Sequence, residues 1–200
     1  MTTQNNTTQK ATTHSFAITL TEPLDKKNIH DQLYEALAKT DGDWYQPAEN
    51  ETRRIQFVKK SEFLVCRSTH KPTSAISLEK SIEVSNGDHL RLEVRLPGSK
   101  RTLEGDPRGK GKTVPLLPDE KTPFFTDLLS KNGMGVLSLT HKYSPGNDIA
   151  FKSSVNVVID TCDVTAMIEV TDAEKFMNAY LYGVGRYKTY GCGMLNVTKL

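Results

Sequence analysis

The sequence has little cysteine, little net charge and no long apolar run, and each shortage excludes something. Cys66, Cys162 and Cys192 are the only cysteines. They are odd in number and far apart, a spacing that fits neither a disulfide framework nor a zinc site, so a reducing cytoplasm is the expected location. No apolar stretch approaches the ~20 residues that cross a bilayer. The opening M-T-T-Q-N-N-T-T-Q-K-A-T-T-H is polar and Thr-rich. It lacks the apolar core of a signal peptide, and residues 1–14 are expected to be a disordered tail. No G-x-S-x-G is present, and no Cys/His/Asp/Glu cluster has metal-ligand spacing, so neither a metal nor another cofactor is expected. Apolar residues make up 36% of the 200, enough for a real core.

The net charge of +2 says little, but its distribution says more. Arg91, Arg95, Lys100, Arg101, Arg108, Lys110 and Lys112 put seven positive charges between positions 91 and 112, against Glu93, Glu104 and Asp106. A basic patch on a near-neutral chain suits a polyanionic partner. A solvated loop is the plainer alternative.

The pattern of elements predicts an α+β protein. Phe16 to Leu20 reads as a strand. Asp25 or Asn28 can cap a helix whose apolar positions are Ile29, Leu33, Ala36 and Leu37. Strand-like runs follow at 53–59, 63–67 and 82–84, then an Asn86-Gly87 turn. The alternating H-L-R-L-E-V-R-L run follows at 89–96. This β-α-β-β-(α)-β order suggests a ferredoxin-like, or RRM-like, half, with residues 73–81 the candidate for its second helix. Residues 97–122 read as a loop, and a short helix from Pro123 stops at Gly133. A long hairpin over 135–143 and 152–162, a strand at 164–170, a helix capped by Thr171 or Asp172 and ended by Gly183, and a last strand at 194–197 build a second such half. The expected division is a tail (1–14), an N-terminal ferredoxin-like domain (15–96), a basic loop with connecting helix (97–132) and a C-terminal ferredoxin-like domain (133–200).

Four glycines, Gly183, Gly185, Gly191 and Gly193, crowd the stretch Y-G-V-G-R-Y-K-T-Y-G-C-G-M-L-N-V. A dinucleotide fingerprint must follow a strand and open a helix; this segment follows a helix. G-K-G-K-T at 109–113 is no P-loop either, because Asp106 stands where that motif needs glycine and V-P-L-L-P cannot open a helix. What remains is a loop whose bare amides can approach phosphates, with Arg186 and Lys188 adding charge and Tyr187 or Tyr190 available to stack on a base. A turn that uses glycine only for backbone geometry is the alternative. Upstream, His30 stands early on the first helix, with Lys27 three residues before it and Tyr34 four after, all on one face. A neutral imidazole can transfer a proton near pH 7, though a surface histidine reads the same way.

At G-V-G-R-Y-K-T-Y-G-C-G-M-L the chain resembles the CRISPR repeat-processing endoribonucleases of the CasE type. Their C-terminal loop has the form G-hydrophobic-G-x-x-K-x-x-G-x-G-hydrophobic-L, matched here by Gly183, Val184, Gly185, Lys188, Gly191, Gly193, Met194 and Leu195. H-L-R-L-E-V-R-L-P-G-S-K-R-T resembles the family's basic strand and turn. V-P-L-L-P-D-E-K-T-P-F-F-T-D-L-L resembles the segment before its central helix, and H-D-Q-L-Y-E-A-L its first helix. The resemblance runs from about residue 15 to the C-terminus.

The resemblance implies two tandem ferredoxin-like domains and metal-independent cleavage of precursor CRISPR RNA 3′ of a stem-loop in each repeat. It places His30 on the catalytic position; the family often has a tyrosine where this chain has Lys27. Proton transfer falls to His30 and charge stabilisation to Lys27, with Tyr34 as the alternative. The basic positions from Arg91 to Lys112, together with Gly185, Arg186, Lys188, Gly191 and Gly193, are the expected RNA contacts. The implied partners are the precursor repeat hairpin, the mature crRNA and the other subunits of a multisubunit effector complex. A non-catalytic RNA-binding subunit of the same superfamily would use the same basic loop and glycine turn without needing His30.

Overall fold

The computed structural model describes residues 7–20, 29–40, 55–60, 63–72, 76–103, 111–152 and 155–200; the side chains of 30, 31, 40, 145–152 and 155–158 fall outside that description. The first domain comprises β1 (Thr8–Thr19), α1 (Ile29–Thr40), β2 (Ile55–Lys60), β3 (Phe63–Ser68) and β4 (Leu78–Ser85). The second comprises β5 (His89–Pro97), a small hairpin of β6 (Ser99–Thr102) and β7 (Lys112–Pro115), α2 (Pro118–Ser130), β8 (Met134–Lys152), β9 (Val155–Val170), α3 (Ala173–Tyr182), a 3₁₀ turn at Lys188–Tyr190, and β10 (Asn196–Lys199).

The sheets run β2-β3-β1-β4 and β10-β5-β9-β8, every neighbour antiparallel. Counted within each four-stranded sheet, both orders are 4-1-3-2. The molecule is therefore a pair of ferredoxin-like domains. Sequence pattern explains the layering. On β5 the apolar positions Leu90, Leu92, Val94 and Leu96 are all buried against the helices, leaving Arg91, Glu93 and Arg95 on the open face. Ile29, Leu33 and Leu37 turn one face of α1 into the first core, onto Phe16, Phe57 and Leu64. Phe125, Leu129, Phe176 and Tyr180 bring α2 and α3 onto the second. Among the described residues no helix is long and apolar enough to cross a membrane.

Three sequence expectations change. Residues 8–14, expected in a disordered tail, begin β1, which lies between β3 and β4. Threonine is β-branched and suits a strand, and its hydroxyls bond across the pair: Thr8 to Ser85 at 2.8 Å and Thr12 to Ser81 at 3.0 Å. The segment is polar because much of it is solvated, not because it is unfolded.

The domain boundary also moves. Residues 89–96 are expected in the first domain, yet β5 pairs with β9 and β10 of the second. The Asn86-Gly87 turn, with Gly87 at φ 89°, hands the chain from one sheet to the other. The segment 97–132 then lies inside the second domain, where it supplies the β6–β7 hairpin and α2, the helix that joins β5 to β8.

Finally, no second helix appears in the first domain among the described residues: from Leu78 the candidate segment is strand β4. Conversely, α2 begins at Pro118, inside the predicted loop. Proline is acceptable at that first position because its missing N–H had no helical partner, and Glu120 accepts the Leu117 N–H at 3.0 Å.

Candidate functional site

Helix α1 and the glycine segment meet although their sequences lie far apart. A cavity of about 210 Å³ opens between them, lined by Tyr34 from α1, Phe57 from β2, Tyr182 at the end of α3, and Lys188 and Thr189 from the loop. His30 lies in the first turn of α1, one helical turn before Tyr34. Its side chain, and Lys27 altogether, lie outside the described residues. The structure thus brings Tyr34 and Lys188 to one cavity. Lys188 also donates to the Tyr182 carbonyl at 3.1 Å, across the base of the loop.

The glycines divide by role. Gly193 is buried at φ 86°, and a Cβ there would stand 2.2 Å from the Val184 carbonyl oxygen, so no side chain fits. Gly191 is also buried, at φ 86°, with a Cβ position 3.3 Å from the Phe57 ring. Their amides are committed within the chain. Gly193 N–H donates to Arg95 O at 2.8 Å, Val184 N–H to Gly193 O at 2.9 Å, and Gly191 N–H to Lys188 O at 3.2 Å. The expectation that these amides face a phosphate is therefore corrected at Gly191 and Gly193, where glycine serves backbone geometry. Gly185 is exposed, at φ 73°. Tyr190 is half-buried and packs on the first-domain core, and Tyr187 is also half-buried, with its ring 6.0 Å from that of Tyr190.

The basic run splits into two groups. Arg91 and Arg95 stand on the open face of β5, each with a carboxylate. Arg91 bonds Glu93 at 2.7 Å, and Arg95 holds Asp163, its direct cross-strand partner, at 2.8 and 3.3 Å. Lys100, Arg101 and Lys112 belong to the β6–β7 hairpin; Arg108 and Lys110 lie outside the described residues. Lys100 pairs with Glu120, which holds that carboxyl below the usual range. Arg101 faces Thr113 in the hairpin register, and Arg186 donates to the Thr113 hydroxyl at 3.0 Å. Two guanidinium groups from separate elements thus share one face, beside Tyr187, whose ring centroid is 5.0 Å from the Arg186 guanidinium. Spacing alone could not have revealed this, because Arg186 joins the hairpin only through the fold.

Sequence reasoning missed Arg67 and Gln56. Arg67 is buried on β3 and Gln56 on β2, and both reach the Tyr180 carbonyl at the end of α3, at 2.7 and 2.8 Å. Burial pushes the Arg67 pKa down, but a guanidinium stays charged at neutral pH. Alternation along β3 puts Arg67 on the face opposite Leu64 and Cys66, where a charged residue is ordinary, so the sequence carries no local signal for its burial. Among the described residues, no three His, Cys, Asp or Glu side chains gather to hold a metal ion.

Comparison with known proteins adds the following. A family model described as CRISPR associated protein matches residues 48–199. No curated protein matches the sequence. Among solved structures, Thermus thermophilus Cse3 bound to an RNA representing a pre-cleavage complex is similar, at 18% identity and TM-score 0.65, over 95% of this chain and 99% of that one. The CRISPR-associated protein Cas6e from Escherichia coli K-12 is 18% identical with TM-score 0.66, over 94% of this chain and 100% of that one. A chain of E. coli Cascade bound to a PAM-containing dsDNA target is 15% identical with TM-score 0.54, over 94% of this chain and 99% of that one. At these identities the likeness shows a shared fold across nearly the whole chain.

Proposed function

The chain belongs to the CRISPR-associated protein family, and from that premise we propose that it is a metal-independent endoribonuclease that cuts precursor CRISPR RNA within the repeat, 3′ of a stem-loop. The observation that carries this reading is the cavity joining Tyr34 on α1 to Lys188 on the glycine loop, one helical turn from His30. A cation and a phenol at one hollow, with a histidine one helical turn along α1, suit phosphoryl chemistry. Cse3 and Cas6e, with the same fold, are described as a CRISPR endoribonuclease and a CRISPR-associated protein respectively.

In this reaction the 2′-hydroxyl attacks its own 3′-phosphate. The P–O5′ bond breaks, leaving a 2′,3′-cyclic phosphate and a free 5′-hydroxyl. His30 transfers the proton, at the nucleophile or at the leaving oxygen. Lys27, with Tyr34 as the alternative, stabilises charge on the pentacoordinate phosphorus, and Lys188 supplies a cation from the loop side. The β6–β7 hairpin grips the stem through phosphates with Lys100, Arg101 and Lys112, joined by Arg186. Likeness to a chain of Cascade supports retention of the mature crRNA hairpin within a multisubunit effector complex.

The test uses a repeat hairpin carrying a single 2′-deoxy nucleotide just upstream of the scissile phosphate. It is expected to bind and stay intact, while the all-ribose hairpin is cut in EDTA. His30→Ala is expected to keep hairpin affinity and lose about 10²-fold or more in cleavage, the scale of a lost general acid–base. Cleavage of the deoxy substrate, or its arrest in EDTA for the ribose substrate, overturns the mechanism. A parent that binds the hairpin but never cuts it is the non-catalytic subunit instead.

A further inference from the structure

Arg67 is 7% exposed and its guanidinium touches both ends of the glycine loop. Nη2 donates to the Tyr180 carbonyl at 2.7 Å, in the last turn of α3 where the loop begins. Nη1 donates to the Leu195 carbonyl at 2.7 Å, where the loop ends. Gln56 completes the arrangement: its Oε1 accepts from Arg67 at 2.9 Å while its Nε2 donates to the same Tyr180 carbonyl at 2.8 Å. The guanidinium also lies 4.0 Å from the centroid of the Tyr180 ring.

Three physical consequences follow. A buried cation is costly unless its charge is answered, and here the carbonyl end of α3 answers it, where the helix dipole is negative. A planar guanidinium can donate to two carbonyls at fixed spacing; an ammonium on a flexible stem cannot hold both in that geometry. Most important, Arg67 and Gln56 belong to the first domain, which carries α1, whereas Tyr180 and Leu195 flank the loop of the second, which carries Lys188. Gln56 itself lines the cavity between them.

We propose that Arg67 is a positioning residue: it staples the two stems of the glycine loop to the first sheet and so sets the separation of Lys188 from α1 across the cavity. This rests on the endoribonuclease reading for its effect on rate, but not for its effect on the loop. Arg67 acts through the loop, by its bonds to the Tyr180 and Leu195 carbonyls.

The experiment compares the parent with Arg67→Lys and Arg67→Ala in the full chain. Hydrogen exchange in Arg67→Lys is expected to speed up at the amides of residues 183–193 and stay parental in β5 and β9. Binding of the 2′-deoxy hairpin should remain within about threefold while single-turnover cleavage falls at least tenfold, a split that simple weakening of the fold does not produce. Millimolar methylguanidinium should restore part of the cleavage lost in Arg67→Ala and none of that lost in His30→Ala. Parental exchange of the loop in Arg67→Lys overturns the proposal, as does faster exchange spread evenly over both sheets. A parent that fails to cut refutes the nuclease reading instead, and the exchange pattern still decides the role of Arg67.

Discussion

Gly193 has no room for even a methyl group, and that makes it the sharpest single-residue test of the loop. Gly193→Ala combines left-handed strain with a clash against the Val184 carbonyl and is expected to cost more than about 3 kcal/mol. Gly185→Ala meets the ends of Leu128 and Leu96 at an ordinary 3.4 and 3.7 Å, so strain alone should cost about 1 kcal/mol. Thermal unfolding of the two variants checks this ordering; equal losses would contradict it. Asp172 illustrates a different balance. It caps α3 by accepting the Lys175 N–H at 3.0 Å, and that bond, with the Lys175 ammonium, holds its carboxyl below the usual range. A depressed carboxylate adds stability above its unfolded pKa and loses it as pH falls through the folded one. Asp172→Ala should therefore cost about 1 kcal/mol at pH 7 and progressively less on acidification below about pH 4. Denaturant melts at pH 7 and pH 3 read the difference. Cys66 is buried, and burial pushes its thiol pKa up to about 12. With Cys162 and Cys192 also buried, native protein should release no thiol signal to Ellman's reagent until it is denatured.

Among the elements, β1 and the β6–β7 hairpin carry the most distinct expectations. Deleting residues 1–13 removes the pairing from Thr8–Ser85 to Thr13–Lys80. Those paired residues carry roughly six ladder hydrogen bonds, so at about 0.5–1 kcal/mol each the loss should be on the order of 3–6 kcal/mol, measurable in a urea melt; a dispensable tail would cost nothing. On the hairpin, Arg101→Glu with Lys112→Glu should weaken RNA binding and flatten its salt dependence, because fewer counterions are released. Unchanged affinity across a salt series would make the hairpin merely solvated.

These two elements also show where sequence is readable. Strong alternation made β5 plain, and capping with apolar spacing made α3 plain, since both signals are local. Polarity hides the strand at residues 8–14, because Thr and Ser satisfy each other across strands, a tertiary fact. The first-domain assignment of β5 failed for the same reason: a strand's run shows its faces but not its neighbours. At the site, the resemblance pointed to His30 and the glycine loop, but whether a glycine faces a ligand or its own chain depends on packing, and Gly191 and Gly193 turned inward. Arg67 was hidden because nothing local says which carbonyls a buried arginine will find.

At the scale of the whole molecule, two ferredoxin-like sheets are each built mostly from pairings within their own stretch of chain. The Arg67–Leu195 bond is different: it joins positions 128 apart in sequence. Contacts of such separation form late, because long loops must be closed before they are rewarded. On refolding from urea, secondary structure should return before hairpin cleavage, with the lag set by docking of the loop rather than by either sheet. The same order holds during synthesis. A nascent chain that has already made α1 has no second stem for Arg67 to grasp until Leu195 has left the ribosome. Docking of the glycine loop is thereby tied to the emergence of residue 195, and a chain truncated before it carries α1 without the loop's second stem.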